Sequence, residues 1–515
     1  METVTEESAV TPAKKGKIKA KYPYDFKTLF GFSTMNWASV GGSILYQYFF
    51  MIYMTDYAGI DQLVKQAGFA ATLATSVLLI ARIIDMLDDP LEGWIMDSAK
   101  WGWLGKYKKF ALLSVILVTF STIALFSIPH FVKSDKVMVG IWVTLFYIFY
   151  EIGVSFASSE MLKQSITNDV ALRTKLTTIP RIWSVLILLP FATFFSIVTV
   201  VNNKIGDMGK SITLVMAILL GLMAVISVVG VLLIKEGRVE SEAEAKRARV
   251  SFKNIVDMFK MNKPLLVNLL ATIFSGFTYT ISTVTLIYFI KYAYCFNPVT
   301  GAVDNARFGL LSGINGIMAI LMNILGAIFA PLAIKLVGDI LKTIKVGFVG
   351  MAAISLSIYL LNVFGVLNKS PILFLVMFFL QGFVMGTIFV PQTLIQLECV
   401  DYVEYKMHKR MAGVVISAGT FLSKAQTALT TVIVGAILIA IGYSVNATTG
   451  NYVGELARVP TMLNWLMVVS GLVPAILVVI ALVIYHYFYP ITPTRRKEME
   501  DELAERHAAA QGDLA

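Results

Sequence analysis

About a dozen apolar runs of roughly 20 residues each, joined by short loops that hold most of the lysines and arginines, leave this 515-residue chain one kind of solution. It must be a bundle of membrane-spanning helices. The chain is 57% hydrophobic and 15% charged, with a mean hydropathy of +0.74, which excludes a soluble globular protein. Its formal charge of +10 invites a nucleic-acid reading. The basic residues are scattered through the loops between apolar runs, however, where the positive-inside rule accounts for them, so no nucleic-acid partner is expected.

The runs predict span 1 near Phe30 to Met54, span 2 near Gly68 to Met96, span 3 near Phe110 to Pro129 and span 4 near Val137 to Ser159. Span 5 follows near Arg181 to Val201 and span 6 near Ser211 to Ile234. After a polar stretch come span 7 near Pro264 to Ile290, span 8 near Phe308 to Ile334, span 9 near Val346 to Val366 and span 10 near Ile372 to Gln396. Span 11 lies near Ala412 to Gly442 and span 12 near Thr461 to Tyr489. The expected fold is therefore an all-α polytopic membrane protein of 12 transmembrane helices in two six-helix halves. Its parts are an N-terminal tail over 1–29, a six-helix bundle over 30–234, a linker over 235–263, a second bundle over 264–489 and a C-terminal tail over 490–515.

With the N-terminus inside, roughly 31 Lys and Arg fall on the inner side against about 9 outside. Both tails, with the linker, are thus expected in the cytoplasm, and the protein is expected in a bacterial cytoplasmic membrane. The basic loop before span 3 (GKYKKF) resembles that before span 9 (GDILKTIKVGF), a weak internal repeat of the kind that places a substrate site between two halves near the bilayer midplane. Cys295 and Cys399 are expected on opposite sides, which argues against a disulfide.

Charges inside apolar runs are expensive and mark function by default. The stretch ARIIDMLDDPLEGWIMD puts Arg82, Asp85, Asp89 and Glu92 within about 80° of one another on a helix, with Asp97 just beyond. Asp85 and Asp89 are the first candidates for a cation site, and the metal ligands if sodium is the ion. Glu92 and Asp97 fit a solvated helix end equally well, and with Arg82 make a charge network. Glu151 lies mid-run in span 4, Arg181 opens span 5 and Lys424 lies in span 11. Pairing these bases with the span 2 acids is the economical arrangement, with a snorkelling Arg181 as the alternative. Thr420, one turn before Lys424, adds a hydroxyl oxygen to the carboxylates of Asp85, Asp89 and Glu151, a donor set that suits a small hard cation or a proton. Trp37, Tyr150, Trp183 and Gln381 offer the stacking faces and amide that a sugar needs, although such residues also serve as ordinary helix-interface glue.

Several of these stretches together resemble the glycoside–pentoside–hexuronide:cation symporter family, a branch of the major facilitator superfamily. The resemblance is carried by ARIIDMLDDPLEGWIMD, GKYKKF, MTDYAGI, YEIGVSF, TIPRIW, VDYVEYKMHKR and GTFLSK. It implies cation-coupled sugar transport by alternating access, with Asp85, Asp89, Glu151 and Thr420 at the cation and Arg181 and Lys424 near the sugar. Two departures bear on the substrate. Phe32 to Gly42 holds no acid where the family's melibiose carriers have an aspartate, and Ser155 stands where they have a tryptophan. No cofactor is implied beyond a coupling cation, Na+ or H+, and the expected partners are a small sugar, that cation and membrane lipid. The oligomeric state is left open.

Two rivals remain. One is a carrier of a lipid-like or other non-sugar solute. The other is a membrane prenyltransferase-like enzyme built on Asp85, Asp88 and Asp89, but its second acidic cluster, Glu398, Asp401 and Glu404, would fall at the cytoplasmic end of span 10. No enzymatic activity is therefore expected.

Overall fold

The computed structural model describes residues 26–66, 68–77, 80, 95–96, 99–100, 102–157, 162, 179–180, 183, 187, 189–191, 193–236, 260–407, 412–446 and 450–512. Among them regular structure is helical, with three isolated bridges and no strand. The chain opens with α1 (Phe26–Thr34) and α2 (Trp37–Ile44), which continue through two π-helical turns, Leu45–Phe49 and Tyr53–Tyr57. Residues 69–77 form part of the next helix. Then follow α3 (Lys108–Leu125), α4 (Lys136–Ser155), α5 (Phe194–Ile205) and α6 (Met208–Leu233). The second half holds α7 (Lys263–Tyr294), α8 (Asn305–Val337), α9 (Ile340–Val363), α10 (Pro371–Met407) and α11 (Ala412–Ala440). It ends with α12 (Val459–Met467), a π turn at Val468–Leu472, α13 (Val473–Phe488) and a terminal helix, α14 (Pro493–Gly512). Seven helices among the described residues are long and apolar enough to cross a membrane.

The helix starts are legible chemistry. Asp135, Asp207, Asp304 and Asp339 each accept a backbone N–H from the first turn of α4, α6, α8 and α9, and Asn262 does so for α7. These are the acceptors that the open N–H groups of a helix start require, and each carries about 1 kcal/mol. Alternate helix ends fall on opposite faces, so the chain has a linker end, with residue 236 and α14, and a distal end.

At the linker end of each half the segment that follows the sixth span is tied to the start of the third. The Glu236 carboxylate accepts N–H bonds from Lys106, Tyr107 and Lys108 at 2.9–3.2 Å, closing the GKYKKF loop onto the end of α6. In the second half Arg496 of α14 donates to Glu398 of α10 (2.7 Å) and to Asp339, the cap of α9 (2.8 Å). Burial alone would raise the Asp339 pKa. The Lys342 N–H and the Arg496 guanidinium outweigh it, and the carboxyl sits below its ordinary value. The basic-loop repeat thus marks equivalent braces, made by an acid in one half and a base in the other.

The buried side chains divide the same way. Cores at the linker end belong to one half each: Phe32, Met35, Ala111 and Val231 in the first, and Phe348, Ile395, Tyr485 and Leu503 in the second. One large core at the distal end joins both halves, with Tyr53, Tyr57 and Phe195 against Tyr288, Phe308 and Tyr443.

Candidate functional site

Of the expected site residues, Arg82, Asp85, Asp89, Glu92, Asp97 and Arg181 lie outside the described residues. Thr420 and Lys424 lie one turn apart on α11, within its helical backbone. The remaining five are placed with their neighbours, and they separate into a first-half group and one second-half amide.

Glu151 is 6% exposed on α4 and accepts a hydrogen bond from the Tyr147 hydroxyl one turn earlier. The acid in the middle of an apolar run is therefore met by a donor on its own helix. Tyr150, next to it, donates to Ser43 Oγ at 3.0 Å and stacks on Tyr46, ring centroids 5.1 Å apart. Tyr46 also meets Tyr147 and Phe50 at 4.8 and 4.9 Å. Three tyrosines and a carboxylate thus line the contact between α4 and the first π turn of the opening span. Such π turns recur at functional sites, because the widened backbone re-aims side chains.

Trp37 and Trp183 are half-buried. The Trp37 indole donates to the Ser33 carbonyl at 2.6 Å, and Trp183 meets the edge of Phe30 at 6.0 Å. Their remaining ring surface is apolar stacking surface. Gln381 is buried, with Nε2 donating to Ser355 Oγ of α9 at 3.1 Å, so its amide links two helices of one half. Gln426 of α11 does the same work between α11 and α7, donating to the Thr272 and Ile273 carbonyls at 2.6 and 2.8 Å.

Sequence reasoning missed a second charged site. Asp56 and Lys291 are fully buried, 2.7 Å apart, and belong to opposite halves. Asp56 also accepts from Thr55 (2.6 Å) and Tyr443 (2.9 Å), while Lys291 donates to the Tyr57 hydroxyl (3.2 Å) and sits 4.8 Å from that ring's centroid. Tyr288 meets Thr55 at 3.0 Å and Tyr292 meets Tyr443 at 2.7 Å. Both charges sit at the ends of apolar runs, where a hydropathy reading takes them for interface residues. The available signal was MTDYAGI with the tyrosines of YFIKYAY, both charge-bearing and unusually aromatic.

Around this pair the halves close on each other. Ser196 and Thr199 of α5 donate to the Gly309 and Asn305 carbonyls of α8 at 2.6 and 3.1 Å, and Gln62 donates to the Val445 carbonyl at 2.9 Å. The approach of α5 to α8 needs a residue without a side chain: a Cβ on Gly309 would lie 2.6 Å from Thr199 Oγ1. Among the described residues the two halves therefore meet at this end through a buried ion pair, its tyrosine and threonine partners, and backbone-directed hydrogen bonds. Among the described residues no group of three or more metal-ligating side chains occurs.

Comparisons with known proteins agree with this architecture. The sequence model of a family described as "MFS/sugar transport protein" matches residues 29–493. An uncharacterized symporter, YjmB, of Bacillus subtilis (strain 168) is 25% identical over 469 residues, covering 89% of this chain and 91% of that protein. The lactose permease of Leuconostoc lactis is 25% identical over 475 residues (88% of this chain, 68% of the permease). The isoprimeverose transporter of Lactiplantibacillus pentosus is 25% identical over 394 residues (74% of each). Among solved structures, a D-xylose–proton symporter superposes with a TM-score of 0.57 at 14% identity, over 90% of this chain and 98% of that one. A peptide transporter, POT, in complex with sulfate gives 0.56 at 14% identity, over 93% and 100%. At these identities the superpositions speak for the fold alone.

Proposed function

This chain belongs to the MFS/sugar transport protein family, and from that premise we propose that it is a symporter carrying a sugar together with a cation by alternating access to one central cavity. The observation that carries the reading is the family match across nearly the whole membrane region, joined by two relatives named for lactose and isoprimeverose. It is a transporter and not an enzyme.

The cation, sodium or a proton, is assigned to Asp85, Asp89, Glu151 and Thr420. The observation in favour is chemical: three carboxylates and a hydroxyl are a hard oxygen donor set, and acids in an apolar bundle are tolerable where an ion or water meets them. Glu151, held by Tyr147, is oriented before any ion arrives. The sugar is assigned to Arg181 and Lys424, with Tyr150, Trp37 and Trp183 as stacking faces. Gln381 is the weakest member, since its amide already faces Ser355. With the termini cytoplasmic, the distal end, where the two halves meet, is the outer face.

In this scheme the cation orders the acids and holds Arg181 and Lys424 in place for the sugar, so sugar affinity rises when the cation is bound. Coupling is reciprocal, so sugar must raise cation affinity by the factor by which cation raises sugar affinity. Titration of sugar into purified protein with and without sodium, across pH, tests it. A sugar affinity that rises with one ion supports the scheme. Equal affinity under every condition overturns it.

A further inference from the structure

We propose that Asp56 and Lys291 form the lock of the distal gate, made in the closed state seen here and broken whenever the cavity opens to that side. The proposal rests on the alternating-access reading, but its parts are all on the structure itself. The pair joins the end of the first span to α7, and Tyr443, just past α11, closes over the same carboxylate. Among the described residues it sits within the core that spans both halves. Each charge finds its counter-charge across that interface: Asp56 is met by Lys291 and Tyr443 as well as by Thr55 of its own half, and Lys291 by Asp56 and Tyr57.

The choice of an ion pair here has a physical consequence. Two charges withdrawn from water regain in their mutual attraction roughly what burial took away, so a complete buried pair adds little net stability. Half of such a pair is a different matter, because the remaining charge is buried and unmatched. A gate closed by leucines would stay closed. The Asp56–Lys291 pair itself adds little to the closed state relative to the fully open one, where water hydrates both charges, and its half-separated form is strongly disfavoured. That is the energy profile a switching carrier needs at the end of its cavity.

The test is the distance between two spin labels on opposite halves at the distal end. Val137→Cys at the start of α4 and Val299→Cys after α7 are exposed positions, 68% and 82%, whereas the native Cys295 and Cys399 are buried. The full-length protein is measured in detergent and in lipid discs, without sugar or gradient. The parent should give a predominantly short distance. Asp56→Asn and Lys291→Met should each shift the closed-to-open ratio by about 100-fold toward open, since each strands one buried charge. The double variant Asp56→Asn/Lys291→Met strands none and should return to the short distance. Single variants that leave the distances unchanged, or a double variant as open as the singles combined, would overturn the lock. If the singles do not fold, a double variant that folds with the short distance supports it, and one that fails as they do overturns it. No sugar enters the measurement, so a failure of the lock is distinguishable from a failure of the symport reading.

Discussion

Gly309→Ala is the smallest change that should unsettle the closed state. The added Cβ would stand 2.6 Å from Thr199 Oγ1, 3.0 Å from the Phe195 carbonyl and 3.3 Å from Ser196 Cα. Thr199 is not a loose end that can swing aside, because its hydroxyl is bonded to Phe195 O at 2.8 Å and Asn305 O at 3.1 Å. The other two atoms are backbone. The strain must therefore be relieved by moving α5 and α8 apart, and overpacking of this kind costs about 1–3 kcal/mol. In the alternating-access scheme opening separates the two helices, so the strain falls on the closed state and the closed-to-open ratio should drop by about 5- to 150-fold. The Val137→Cys and Val299→Cys label pair reads this directly. Gly221→Ala on α6, whose Cβ would meet nothing within 4 Å, is the control and should leave the distance alone or stabilise the helix slightly. If Gly309→Ala gave the parent distance and the parent melting temperature, the tight α5–α8 approach would not be what holds the distal end shut.

Other perturbations read the rest of the molecule. Arg496→Ala leaves Glu398, 7% exposed, with the Tyr489 hydroxyl as its remaining partner among the described residues, and should lower stability by about 2–3 kcal/mol, less than for a fully enclosed pair, seen as a lower melting temperature in detergent. The Asp339 carboxyl is held below its ordinary value, so its contribution is complete above about pH 4 and is lost as pH falls through the folded value; melting scans between pH 7 and 3 should show the loss, smaller in Arg496→Ala. Asp85→Asn should leave the protein folded in detergent and abolish cation-driven accumulation, and intact accumulation would remove Asp85 from the cation site.

The fold was legible where hydropathy and helix extent coincide. The run expected near Val137 to Ser159 is α4 at Lys136–Ser155, and that near Ala412 to Gly442 is α11 at Ala412–Ala440. They part where a helix leaves lipid without ending: α10 runs on through Glu398, Asp401 and Glu404 to Met407, because charged residues stop lipid contact and not helical hydrogen bonding. The charged C-terminal stretch likewise folds as α14, with Met499 and Leu503 buried against the second half, a spacing of four on one helix face. Glu151 stood out in the sequence because a lone acid in an apolar run demands an explanation, and its burial on α4 is what the structure adds. Its Tyr147 donor was not singled out, although it stands four residues before it. The Asp56–Lys291 pair is 235 residues apart in sequence, and nothing local to either run states that they meet.

The most direct measurement is uptake of radiolabelled glycosides, pentosides and hexuronides into proteoliposomes under an imposed sodium gradient or an imposed proton gradient. Accumulation of at least one sugar above its equilibrium level under one of the two gradients, abolished by an ionophore that collapses it, is the result expected of symport. Absence of sugar uptake under either gradient, from protein that is folded and correctly inserted, would contradict it.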